Sequence, residues 1–228
     1  MSDTDSFIDE VTEEVRRDRL FAQMRRYGWI AVLAVLLLVG GAAYKEWRNA
    51  QATTAAEALG DAMMAALESN EAPARIAGLG AIDSQSPTGM AIVGFMTAAE
   101  EHRNGDIDAA AARLDAIAAQ ESLPMIYRQL ATFKSLNIRG TSADIATRRA
   151  GYQALSGPGA ALRLLAEEQL ALLDIEEGNT QPAIDRLQAI LIDAQLTPGL
   201  RRRASQLIVA LGGTVAATPG GEATLAGQ

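Results

Sequence analysis

The chain has 228 residues, with 20 Lys and Arg against 28 Asp and Glu for a formal net charge of −8, one histidine and no cysteine. An acidic chain lacks the basic stripe needed to displace counterions from a phosphate backbone, and 4% aromatic residues give no base-stacking platform, so nucleic acid is not an expected partner. Without cysteine there are no disulfides or thiolate metal sites, and a lone His102 removes the multi-histidine arrangements that hold transition metals; no cofactor is expected.

Residues 1–26 open with Ser6 followed three positions later by Asp9, a capping-box-like start, and then place Phe7, Val11 and Val15 four apart among charges. This predicts a helix with one apolar stripe. The next stretch, 27–44, reads YGWIAVLAVLLLVGGAAY and carries no charge over 44 − 27 + 1 = 18 residues, near the lower end of the roughly 17–25 that a helix needs to span a bilayer. Tyr27 and Trp29 at one end, and Tyr44 and Trp47 at the other, are the expected membrane-interface anchors. The run ends in small residues, Gly40 to Ala43, as a cleaved secretory signal does. A signal, however, opens with a short basic region, whereas 26 residues with seven Asp and Glu precede this one.

Five arginines (Arg16, Arg17, Arg19, Arg25, Arg26) flank the span on its N-terminal side against Lys45 and Arg48 on the other, which predicts a cytoplasmic N-terminus and an extracytoplasmic domain from residue 49 onward. That domain lacks strand alternation and is rich in Ala, Leu, Glu and Arg, so it reads as all-α. Helix stops and starts fall at Ser86-Pro87, Ser122 with Pro124, Gly140-Thr141, Gly157-Pro158, Gly178, Thr197-Pro198 and Gly212-Gly213.

An internal repeat runs through these helices. NGDIDAAAARLDAI at 104–117 aligns with EGNTQPAIDRLQAI at 177–190, matching Gly105 to Gly178, Ala110 to Ala183, Leu114 to Leu187 and Ile117 to Ile190 at an offset of 178 − 105 = 73. Arg128 and Ala131 map to Arg201 and Ala204 at the same offset. Small residues also recur twelve apart, as Gly60 with Ala72, Ala98 with Ala110, Ala131 with Ala143, and Ala171 with Ala183, with Ala204 alone. These positions are where paired helices are expected to approach closely. The predicted architecture for 49–211 is four helix pairs plus a closing helix.

The GDIDAAAARL and GNTQPAIDRL stretches resemble the start of the second helix of a tetratricopeptide repeat, with its buried Ala and large apolar residue. Four residues before each Gly, where that repeat usually carries an aromatic, stand Glu101 and Asp174. The charged FIDEVTEEVRRDRL head, the YGW-initiated span, the AYKEWRNAQ exit and the divergent repeats together resemble a single-anchor family of ancillary subunits of the Sec translocon. That resemblance implies a bacterial inner-membrane protein with a periplasmic repeat domain. Its implied partners are the translocon and a membrane-tethered periplasmic chaperone or peptidyl-prolyl isomerase. Residues 212–228 show no periodicity and read as a flexible tail.

No catalytic constellation emerges. Glu100-Glu101, Glu167-Glu168 and Glu176-Glu177 are adjacent carboxylates that diverge by about 100° on a helix, so they read as solvated faces rather than acid–base pairs. Arg201 to Arg203 read as a solvated face, Met63, Met64, Met90, Met96 and Met125 as core filler, and His102 as a helix-terminus residue. The expected function is a non-catalytic adaptor with no small-molecule substrate, anchored in the lipid bilayer by one span. The alternative is an anchored scaffold for cell-wall or outer-membrane assembly.

Overall fold

The computed structural model describes the backbone of residues 3–215 and the side chains of Arg25, Trp29, Ile30 and residues 32–215. Among the described residues the chain forms nine α-helices and no strand: α1 Asp3–Leu67, α2 Ala72–Gly80, α3 Pro87–Arg103, α4 Ile107–Ala118, α5 Met125–Arg139, α6 Ile145–Leu155, α7 Arg163–Glu176, α8 Thr180–Leu191 and α9 Pro198–Ala210. A 3₁₀ turn, Gly140–Ser142, sits between α5 and α6. The chain divides into two compact units, Met1–Ala58 and Leu59–Gln228.

Within the first unit the described backbone belongs to α1 throughout. Among the described residues no helix is long and apolar enough to cross a membrane. The side chains of Tyr27 and Ala31, both within the stretch 27–44, lie outside the described set, as do those of Phe7, Val11 and Val15 of the expected amphipathic segment. Most of the expected tail, 216–228, also lies outside it.

In the second unit each helix from α2 onward packs against the next in sequence, the pattern of a stacked helical-hairpin array. Local chemistry sets the boundaries. Ser86 and Thr197 cap α3 and α9 by accepting from the amides of Gly89 (3.2 Å) and Leu200 (3.4 Å), and each is followed by a proline whose missing N–H costs nothing at a first helical position. Asp144 caps α6 by accepting from the Thr147 amide at 2.9 Å.

Three helices end in one motif. Gly105, Gly178 and Gly212 take φ of 91°, 80° and 79°. The amide after each reaches back to the carbonyl of Glu101 (2.9 Å), Asp174 (2.8 Å) and Ile208 (2.9 Å), which closes a Schellman turn that a side chain with a Cβ would strain.

The offset of 73 extends to whole elements: α4 and α8 coincide at both ends, and α5 and α9 begin 73 apart. The cores coincide as well. Ala91, Ala98, Leu114, Ile117 and Ala131 form one buried cluster, and their counterparts Leu164, Ala171, Leu187, Ile190 and Ala204 form another. Leu136, Tyr152, Leu155, Ala166, Leu170 and Leu173 fill the space between, with Phe133 packed edge-on to Tyr152 at 5.9 Å.

Two of the twelve-residue pairs differ from the sequence reading. Ala98 with Ala110 and Ala171 with Ala183 are fully buried, but Gly60 and Ala72 are only partly so, and nothing stands within 4 Å of where a Gly60 Cβ would be. The close approach at that crossing is instead Gly78 against Ala66, also twelve apart, where a Cβ would stand 3.1 Å from the alanine Cβ. Ala143 lies in no helix. The three residues of the 3₁₀ turn intervene, and the contact shifts to Gly151 against Leu136, a separation of 15 rather than 12.

At Ala110 and Ala183, both wholly buried, a Leu has no room without displacing a neighbouring helix, and either substitution is expected to cost about 1–3 kcal/mol. Urea denaturation followed by circular dichroism checks this. Unchanged midpoints for both variants would contradict the packing register.

Candidate interaction surface

Of the acidic residues read as solvated faces, Glu100, Glu101 and Glu168 are instead buried in the array, whereas Glu176 and Glu177 are exposed. The 100° divergence that keeps two adjacent carboxylates from sharing one substrate lets each face a different neighbour. Glu100 is buried and accepts from Arg75 of α2 at 2.7 Å, while the adjacent Glu101 is buried toward α4 and binds Arg113 at 2.5–3.1 Å. Glu168 accepts two bonds from Arg203 of α9, and Glu167 pairs with Arg186 of α8. Glu176 and Glu177 take Arg148 and Arg149 of α6. Arg201, Arg202 and Arg203 are all exposed, and Arg203 in addition pairs with Glu168. Met64 and Met125 are exposed rather than core filler, and His102, in the last turn of α3, is also exposed.

The repeat reaches the ion pairs. Glu101 with Arg113 and Asp174 with Arg186 are each twelve apart and map onto one another at 73. The acids at the position expected to be aromatic therefore join the two helices of a pair by a charge-assisted bond. A recurring acid followed twelve residues later by arginine is the sequence signal that identifies this bridge.

Proton affinities follow from the same contacts. The Arg75 hydrogen bond, outweighing burial, holds Glu100 below the ordinary value of 4.5, and the Arg148 bond lowers Glu176 likewise. Asp115, which binds Arg139 of α5 and accepts from Ser135 at 2.6 Å, is also lowered, chiefly by Arg139.

Between these bridges the helices α5, α7 and α9 enclose an open groove of about 600 Å³. Its apolar lining includes Phe133, Leu165, Leu172 and Leu207; its polar lining includes Asn137, Gln169 and Gln206; and the Glu168–Arg203 pair completes it. Among the described residues, no group of three or more His, Cys, Asp and Glu is placed to hold a metal ion.

In the first unit, Trp29, Tyr44 and Trp47 are exposed, the last two with ring centroids 6.1 Å apart, and the Tyr27 side chain lies outside the described set. Ile30, Val32, Leu33 and Val35 to Val39 are exposed by 46–74%.

The family model for the tetratricopeptide repeat-like domain matches residues 24–138, half of the chain. The chain belongs to this family, whose repeats serve protein–protein contact and are typically non-catalytic scaffolds. No curated protein and no solved structure matches it. The match ends within α5, yet α8 coincides with α4 at an offset of 73, and α7 ends and α9 begins at the same offset from α3 and α5, so the repeat architecture extends to the last helix.

Replacing Arg113 by Met leaves Glu101 buried without its cation and is expected to destabilise the chain by about 1–3 kcal/mol. Adding Glu101→Leu restores most of the loss, because an apolar pair of similar volume replaces a buried ion pair at little cost. A double-mutant cycle on urea midpoints reads this directly.

The lowered carboxylates bind fewer protons folded than unfolded, so their contribution is complete above the ordinary values and disappears as pH falls through the folded ones. The urea midpoint should therefore stay level from neutral pH to about pH 5.5 and drop steadily below about pH 4.5.

Proposed function

We propose that the chain is a membrane-anchored, non-catalytic adaptor of the bacterial inner membrane, its N-terminus cytoplasmic and its repeat domain periplasmic. In this reading the repeats contact the Sec translocon, a membrane-tethered periplasmic chaperone or peptidyl-prolyl isomerase, or an emerging secretory chain. The observation that carries it is the set of exposed side chains Trp29, Ile30, Val32, Leu33 and Val35 to Val39, joined in one chain to a protein-contact repeat array. Eight large aliphatic side chains in water, at about 1.5–3 kcal/mol each, are a cost that lipid removes. Residues 27–44 carry no charge, and at about 1.5 Å per residue they reach about 27 Å, close to the thickness of a hydrocarbon core. Tethering also raises the local concentration of the repeats beside any channel in the same membrane.

The test has two parts. In this cysteine-free chain, Ser2→Cys and Thr218→Cys should label oppositely with a membrane-impermeant reagent on cells with a permeabilised outer membrane, Thr218→Cys alone reacting; the reverse pattern would overturn the topology. Photoreactive residues in place of the exposed Met125 and Ile192, in membranes carrying a stalled secretory chain, should give adducts to the translocon, a chaperone or that chain. Adducts confined to cell-wall or outer-membrane assembly proteins would favour the scaffold instead.

A further inference from the structure

Ion pairs tie the second unit together in two separate sets. Before the 3₁₀ turn they run from Arg75–Glu100 to Asp115–Arg139, and after it from Arg148–Glu176 to Glu168–Arg203. Among the described residues, none joins α5 or an earlier helix to α6 or a later one. The divide falls at the crossing of α5 and α6.

The repeat shows which bridge is missing there. In α3–α4 and α7–α8 the buried small pairs are Ala98 with Ala110 and Ala171 with Ala183, and the bridging residues stand three positions after each, Glu101 with Arg113 and Asp174 with Arg186. At α5–α6 the close contact is Leu136 with Gly151, so the same positions are Arg139 and Ala154. Arg139 turns back to Asp115 of α4, Ala154 is exposed and uncharged, and Arg148 and Arg149 of α6 are taken by Glu176, Asp174 and Glu177 of α7 and its cap. The charges on each side thus turn away from the joint.

What fills the joint is apolar. Leu136 of α5 packs with Tyr152 and Leu155 of α6 and with Leu170 and Leu173 of α7. The one side-chain hydrogen bond across it among the described residues runs from the Tyr152 hydroxyl to the Asn137 carbonyl at 2.6 Å. Apolar contact has no preferred direction, whereas a buried ion pair penalises displacement of either member. The backbone bends here at Gly140, whose φ of 46° and ψ of −128° a residue with a Cβ rarely adopts.

We propose that the second unit works as two rigid blocks, Leu59 to Arg139 and Ile145 to Gly213, that articulate at the α5–α6 joint, with the Tyr152–Asn137 bond as the latch of the observed position. The groove spans this joint: Phe133 and Asn137 belong to the first block, and its α7 and α9 walls to the second. Neighbouring helices sit about 8–10 Å apart, so a wall two helices from α5 lies about 16–20 Å away, and a rotation of about 10° moves it by about 3 Å. The width of the groove is therefore set by a joint that a single hydrogen bond holds. The motion is a property of the array and holds whichever partner the array contacts.

The chain has no cysteine, so pairs of introduced cysteines carry spin labels without background, and distances between them are read on the full chain in detergent micelles. Ala112→Cys with Ala189→Cys spans the joint; Ala77→Cys with Ala112→Cys lies within the first block and Gln153→Cys with Ala189→Cys within the second, all at exposed positions. The spanning distribution should be at least about twice as broad as either control, and Tyr152→Phe should broaden it further while both controls stay as they are. If Tyr152→Phe also broadens the controls, Asn137→Ala removes the same bond from an exposed position and makes the comparison in its place. A spanning distribution as narrow as the controls, or one that loss of the bond leaves unchanged, would overturn the proposal.

Discussion

The bond between a carboxylate on one helix and an arginine on the next is the constraint from which the second unit takes its form. Its geometry follows from the direction in which helical side chains lean. Each Cα–Cβ bond tilts toward the N-terminus of its own helix, so on two helices joined by a tight turn the side chains of the first lean away from the turn and those of the second lean toward it. Glu101 sits beside the turn and Arg113 two turns into α4, and they meet because each leans toward the other; Asp174 and Arg186 repeat the arrangement. The alanines three residues before each member, Ala98 with Ala110 and Ala171 with Ala183, let the helices come close enough for the bridge to form.

Such bridges fix geometry more than they add stability. A buried ion pair recovers its desolvation cost only when well bonded, but it penalises every packing that leaves one member unpaired. In an Ala-rich array, where one small apolar residue fits as well as another, helices have many nearly equivalent ways to slide. The penalty for misplacing Glu100, Glu101, Glu168 or Asp174 removes those alternatives. The apolar clusters supply the bulk of the attraction, and the carboxylates select among the ways of satisfying it.

Much of this fold was legible in the sequence because it is written twice. The match of Gly105 to Gly178 and of Leu114 to Leu187 located the second helix of each pair, and the structure places α4 and α8 at the same offset. The first crossing was harder to read. Between residues 50 and 80 many small residues fall twelve apart, and only the contact in the folded chain separates Ala66 and Gly78, which touch, from Gly60, which has nothing within 4 Å of its Cβ position. Ala143 was misplaced for a different reason: a 3₁₀ turn leaves no hydrophobic signature, yet its three residues shift the contact at this crossing to Gly151 and Leu136. The adjacent glutamates looked solvated because sequence alone shows a charge but not the arginine from another helix that meets it. The groove glutamines left no trace in the sequence, since Asn137, Gln169 and Gln206 become neighbours only when alternate helices stack side by side.

The coincidence of α4 with α8, and of their buried residues, bears on how such a chain changes length. The buried face of α4 is built from Ala110, Leu114 and Ile117, and that of α8 from Ala183, Leu187 and Ile190, the same residue types in the same order. A segment of 73 residues can therefore be inserted or lost at this seam while both new neighbours still meet a surface they already fit. Duplication at this seam lengthens the array in whole modules without the invention of a new interface, so the molecule is graded in size by a fixed unit rather than continuously.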